Sequence, residues 1–209
     1  RQIVAKHARP APPDTAPAQR FTVLVFGGSQ GAHRINTAVI EALGGLGDTA
    51  GFFFIHQTGG ADETMVTEAY RRSGVAARVQ AFFEDMATQY GQAHLIICRA
   101  GATTVAEITA LGKAAVLIPY PHAADDHQHR NARRLVDAGA AELIDERQLN
   151  GARLSERIRF FASRPEILNR MENHAARLGQ PDAARRIVDE CFRLVAVRTP
   201  GQRANRLTG

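Results

Sequence analysis

The chain has 209 residues, 44% of them apolar, which is enough to build a core and argues against disorder. No apolar run approaches the roughly 18–20 residues that span a bilayer, and the first residues show no apolar leader segment. The formal charge of +5 belongs to the two ends, since 1–20 and 196–209 each carry +3 and leave 21–195 at −1, so a nucleic-acid surface is disfavoured.

The sequence begins on Arg1 and reads as a fragment. Its two cysteines, Cys98 and Cys191, are too few for a disulfide framework and imply a reducing, cytoplasmic setting. Lys6 and Lys113 are the lysines; the other 24 basic residues are arginine. Residues 7–20, HARPAPPDTAPAQR, read as a Pro- and Ala-rich linker. From 21 onward the pattern alternates. Apolar runs at 21–26, 52–57, 77–82, 94–98, 115–119 and 141–144 predict strands. Amphipathic segments near 30–44, 61–73, 102–111 and 126–138 predict helices, with Gly112 and Gly139 closing the last two. Beyond 150 the strands stop, and 151–163, 165–178 and 181–195 read as helices, Pro165 and Pro181 suiting first turns.

Short apolar runs separated by helical patterns imply βαβ units. The expected fold is therefore an α/β, Rossmann-like, doubly wound parallel sheet of about six strands with extra C-terminal helices. The expected organisation is a linker over 1–20, one domain over 21–195 and a basic tail over 196–209. Ligands in such sheets bind beyond the carboxyl ends of the strands, so the strand-to-helix corners carry the functional question.

The first corner is Gly27-Gly28-Ser29-Gln30-Gly31. Glycines between a strand and a helix aim bare amides at one point, which suits a phosphate. The GxGxxG dinucleotide fingerprint is absent, as is the acidic residue at the end of the second strand, where the chain reads His56-Gln57-Thr58-Gly59-Gly60. A Walker A loop is excluded, because no Gly-Lys-Ser/Thr follows. For Ser29, a phosphate contact competes evenly with an N-cap for a helix from 30.

The second corner is Cys98-Arg-Ala-Gly-Ala-Thr-Thr-Val-Ala-Glu107, with Gly101 in the turn and a helix from about Thr103. Thr104 and Glu107 fit a capping box, the favoured reading of this stretch alone, yet a carboxylate at such a helix start also suits a ribose diol. The third corner runs from Pro119 through His122, Asp125, Asp126, His127, Gln128 and His129 to Asn131. His127 and His129 point about 200° apart on a helix, so no metal site is expected. Asp125 with Gln128 reads as a cap pair, and His127, Gln128 and Asn131 as a polar cluster suited either to water or to sugar hydroxyls. Phe82-Phe83-Glu84-Asp85-Met86 is less specific, since aromatics and Met at a strand end are more often core than base-binding.

Read in order, GGSQGA, FFEDM, CRAGATTVAEI, GKAAVLIPYPHAADDHQHRNA and LVDAGAAELI resemble the C-terminal half of the MurG family of GT-B glycosyltransferases. Members transfer N-acetylglucosamine from UDP-GlcNAc to undecaprenyl-pyrophosphoryl-muramoyl-pentapeptide with inversion. The resemblance implies the donor-binding half of such a peptidoglycan enzyme, and Arg1 resembles the last residue of the family's hinge motif. By position it also implies that Gly28, Ser29, Gln30 and Gly31 meet the donor phosphate and that Phe83, through its backbone, and Met86 form the uracil pocket. Gly101, Ala102, Thr103 and Thr104 would lie against the pyrophosphate, Glu107 on the ribose, and His127 and Gln128 on the GlcNAc, although some relatives carry Gln at the position of His127. No cofactor or metal is implied. The lipid-linked acceptor, the general base and the main membrane contact would belong to the family's N-terminal domain, on the cytoplasmic face of the membrane. The rival readings are a UDP-GlcNAc 2-epimerase, an NAD-dependent oxidoreductase, and a catalytically silent nucleotide-sugar module that needs a partner chain.

Overall fold

The computed structural model describes residues 20–28 and 32–180. The compact unit they form ends at Gly179, and the helix expected over 181–195 lies outside the described residues.

Six strands form one sheet: β1 (Phe21–Phe26), β2 (Phe52–Gln57), β3 (Ala76–Gln80), β4 (Leu95–Cys98), β5 (Ala115–Leu117) and β6 (Ala141–Leu143). All neighbours are parallel, in the order β3-β2-β1-β4-β5-β6. The helices are α1 (His33–Leu43), α2 (Glu63–Ser73), α3 (Met86–Gln92), α4 (Ala102–Leu111), α5 (His127–Asp137), α6 (Gly151–Ala162) and α7 (Pro165–Leu178).

A parallel sheet must be covered on both faces, and alternation along the strands sorts the two cores. Val23 and Val25 join Ile35 and Val39 of α1, Val66 of α2 and Ile158 of α6. Leu24 and Phe26 join Tyr90 of α3, Ile108 of α4 and Leu135 of α5. Helix α7 touches both, with Leu168 and Met171 in the first core and Ala175 in the second. At its end a Cβ on Gly179 would stand 2.6 Å from the Thr109 carbonyl oxygen of α4, so only glycine fits there without displacement.

Three expectations are corrected. Helix α3 was not anticipated; Asp85 caps it by accepting from the Thr88 N–H. Helix α1 begins at His33 with Ala32 at the N-cap position, three residues beyond Ser29. Strands β3 and β5 stop two residues early, at Gln80 and Leu117, because the chain there leaves the sheet for the loops described next.

Candidate functional site

The strand ends lie in one row. The register aligns Gln80, Gln57, Phe26, Cys98, Leu117 and Leu143 across the carboxyl edge. The order in which successive strands are added reverses between β1 and β4, and ligands of such sheets settle at that switch point. The segments leaving β1 and β4 there are the first two corners of the sequence.

At the β1 exit, Gly28 turns with φ +97°, a left-handed conformation that glycine adopts freely. Ser29, Gln30 and Gly31 lie outside the described residues. Helix α1 then starts with no side-chain cap and no acidic residue in its first turn, carrying His33 and Arg34 instead. At the β4 exit, Gly101 is the N-cap of α4, again with no side-chain cap and no acidic first-turn residue. Of the other helix starts, α5 also lacks a side-chain cap, although Asp125 and Asp126 precede it, and the remaining four are served conventionally. Asn150 caps α6, Asp85 caps α3, and Glu63 and Glu166 occupy the first turns of α2 and α7. The two helices at the switch point thus present their orphan amides to whatever lies between them.

The helix start at Ala102 overturns the capping reading of Glu107. Glu107 is six residues past Gly101, beyond the third position that a capping box requires. Its Oε2 instead accepts a hydrogen bond from the Tyr90 hydroxyl of α3 at 2.9 Å. Burial, with the nearby Cys98 and Glu107, pushes the Tyr90 hydroxyl well up, so it stays a donor; burial also pushes the Cys98 thiol up. Thr103 and Thr104 stand four and three residues before Glu107 and share its helix face.

The segment after β3 divides its two phenylalanines. Phe83 is buried in the core, whereas Phe82 is exposed and Met86 half-buried. The Phe83 N–H donates to Gln57 Oε1 at 2.9 Å.

The third corner is also rearranged. Asp125 and Asp126 both adopt positive φ, near +50°, a region Asp tolerates better than most residues, and α5 follows with no side-chain cap. Gln128 does not pair with Asp125; its Oε1 accepts from the Tyr120 N–H at 3.0 Å. Asn131 donates to the Ala100 carbonyl at 3.0 Å and so ties α5 to the β4 exit. His127 is exposed and Gln128 partly so, at the helix start. His129 instead faces Asp145 at 3.4 Å, in a groove of about 370 Å³ that Tyr120, Asp126 and Glu146 also line.

A family model described as "Glycosyltransferase family 28 C-terminal domain" matches residues 22–191. The chain belongs to this family. A protein of Myxococcus xanthus, named UDP-N-acetylglucosamine--N-acetylmuramyl-(pentapeptide) pyrophosphoryl-undecaprenol N-acetylglucosamine transferase, is 49% identical over 85% of this chain and 46% of its own length. A protein of the same name from Anaeromyxobacter dehalogenans is 45% identical over 99% of this chain and 55% of its own length. The chain thus spans about half the length of the curated relatives it matches. The crystal structure of Acinetobacter baumannii MurG superposes with a TM-score of 0.74 at 33% identity, over 85% of this chain and 51% of that one. UDP-GlcNAc 2-epimerase from Neisseria meningitidis, solved with UDP-GlcNAc, superposes at 0.57 with 15% identity over 85% of this chain and 45% of its own, and shares the fold alone. The architecture is the C-terminal half of a GT-B fold.

Within this family 28 domain, several residues that shape the corners escaped sequence reasoning. Arg99 follows β4 and donates to the carbonyls of Ile118 and Pro119, pairs with Glu146, and lies over the Tyr120 ring. Tyr90 was hidden with the helix that carries it. Gln57 and His56 had a readable signal. Two polar residues end the otherwise apolar strand FFFIHQ, and buried polar groups must find partners.

His56 is fully buried, and burial lowers its pKa to about 3, so it is neutral. Its tautomer follows from its neighbours. Asn36 spends both amide hydrogens on the Thr58 carbonyl and the Asp62 carboxylate, leaving its Oδ1 to accept from His56 Nε2–H at 3.0 Å. His56 Nδ1 then accepts from the Tyr70 hydroxyl at 3.1 Å. Burial alone would raise the Asp62 carboxyl, but hydrogen bonds from Asn36 and His33 outweigh it and hold the group below the ordinary range.

Proposed function

We propose that this domain, residues 21–195 by the sequence pattern, is the donor-binding half of an inverting transferase that moves GlcNAc from UDP-GlcNAc to undecaprenyl-pyrophosphoryl-muramoyl-pentapeptide, the reaction named for its relatives. The observation that carries the reading is the pair of uncapped helix starts, α1 and α4, on either side of the switch point, with Glu107 held by Tyr90 on α4.

The chemistry follows from that arrangement. The acceptor hydroxyl attacks the anomeric carbon while UDP leaves, and negative charge grows on the β-phosphate. Amides aimed there stabilise the transition state more than the ground state. Gly28–Gly31 and Gly101–Thr104 supply them. Glu107 takes the ribose hydroxyls, Phe83, through its backbone, and Met86 take the uracil, and His127 with Gln128 reads the GlcNAc. Asp125 and Asp126 make the α5 start a poor place for phosphate, which agrees with giving that corner to the neutral sugar. The acceptor, the general base and the contact with the cytoplasmic face of the membrane belong to the other half of the fold. No helix among the described residues is long and apolar enough to cross a membrane.

Calorimetry with UDP-GlcNAc, UDP-GalNAc and ADP-glucose tests the reading; no heat with either UDP-sugar refutes it. Two substitutions sharpen it. Glu107→Gln replaces one carboxylate oxygen by an amide that cannot accept from a hydroxyl. UDP affinity should fall about tenfold, as befits loss of a hydrogen bond to a charged group, while the melting temperature holds. Unchanged affinity would remove Glu107 from the site. Ser29→Ala should also weaken UDP by about tenfold or more at constant stability. A loss of about 1 kcal/mol in stability with unchanged affinity would return Ser29 to a structural role.

A further inference from the structure

We propose that Gln57 is a positioning residue that fixes the spacing between the phosphate corner and the base corner of the nucleotide site. The proposal rests on the reading of Gly28–Gly31 and Phe83–Met86 as those two corners.

Gln57 is the last residue of β2 and only 3% exposed. Its amide faces two backbone groups. Nε2 donates to the Gly28 carbonyl at 3.2 Å, and Oε1 accepts from the Phe83 N–H at 2.9 Å. These partners fix the orientation of the amide, since a carbonyl needs a donor and an N–H needs an acceptor. Gly28 belongs to the exit of β1 and Phe83 to the exit of β3. Those strands are not neighbours, because β2 lies between them. Their exits stand two strand spacings apart, about 9–10 Å, and share no ladder hydrogen bonds. A nucleoside diphosphate must touch both exits at once. One neutral side chain therefore couples the loop that grips the phosphate to the loop that grips the base.

The coupling requires a donor and an acceptor on one planar group. A carboxylate at 57 keeps the acceptor for Phe83 but turns a second oxygen toward the Gly28 carbonyl. A thioether of similar length offers neither bond.

The test is calorimetric titration of wild type, Gln57→Glu and Gln57→Met with UDP and, by chemical-shift titration, with uridine. In Gln57→Glu, UDP affinity should fall about tenfold or more, because one partner is left facing a like dipole, while uridine affinity stays near wild type. Gln57→Met should weaken both ligands. In the ligand-free protein, hydrogen exchange at the Phe83 amide should quicken in Gln57→Met and stay slow in Gln57→Glu. Wild-type UDP affinity in both variants overturns the proposal. So does a parallel loss of UDP and uridine in Gln57→Glu with a lowered melting temperature, which would make Gln57 merely structural. Failure of the wild type to bind UDP overturns the reading beneath it, and the exchange result still reports whether Gln57 holds Phe83.

Discussion

Residues 1–209, expressed alone, will bind UDP-GlcNAc and transfer none of its sugar. Binding survives because the corners assigned to uracil, ribose, diphosphate and sugar all lie on this one sheet edge. Transfer fails because no corner here is assigned to the acceptor hydroxyl. Holding two reactants in line contributes about 7–11 kcal/mol to barrier reduction, and its loss slows transfer by five or more orders of magnitude. The measurement is sugar transfer to a lipid-linked muramoyl-pentapeptide analogue, with and without the separately supplied N-terminal half of a relative. Turnover by 1–209 alone, above background hydrolysis, would place the acceptor site in this half and refute the division of labour proposed above.

Acid will destabilise the domain through His56. Its folded pKa, about 3, lies below the ordinary value of 6.5, so the folded state holds fewer protons than the unfolded one below neutrality. The associated stability is fully present above about pH 6.5 and is lost as pH falls toward 3, at about 1.4 kcal/mol per pH unit for this group. Between pH 6.5 and 5 that amounts to roughly 2 kcal/mol, a large share of a typical domain's stability. Asp62 works in the same direction at lower pH, because its carboxyl is also held below its ordinary range. His56→Gln can still donate to Asn36 and accept from Tyr70 but cannot take up a proton. Urea unfolding at pH 7.5, 6 and 5 should therefore show a shallower loss for the variant than for the wild type. Equal slopes would mean that His56 does not carry the acid sensitivity.

The sheet was legible because each strand is a short apolar run and each long helix repeats its apolar positions near 3.6 residues. Helix α3 was not, since Met86–Gln92 is barely two turns, too short for an apolar repeat to show. The corners were legible as places but not as arrangements. Thr104 and Glu107 have capping-box spacing, yet the glycine at 101 starts the helix three residues earlier, and nothing local to the sequence decides between those starts. Gln128 looked like a cap partner because its true partner, the Tyr120 N–H, lies on the far side of a loop. Contacts across strands, such as Gln57 to both Gly28 and Phe83, depend on sheet order, which one chain's periodicity does not encode.

The contact at Gly179 bears on how a cleft at this edge can move. Helix α4, whose start faces the switch point, is backed by the end of α7, where the Thr109 carbonyl leaves room for a glycine but not for a Cβ. Packed helices accommodate ligands by sliding a fraction of an ångström along one another, or they stay fixed while a distant joint bends. An approach this close, with space only for a glycine, leaves α4 little of the first option. Whatever movement admits a ligand at this edge then carries α4 and α7 together, and the start of α4 at Gly101 keeps its place on the sheet.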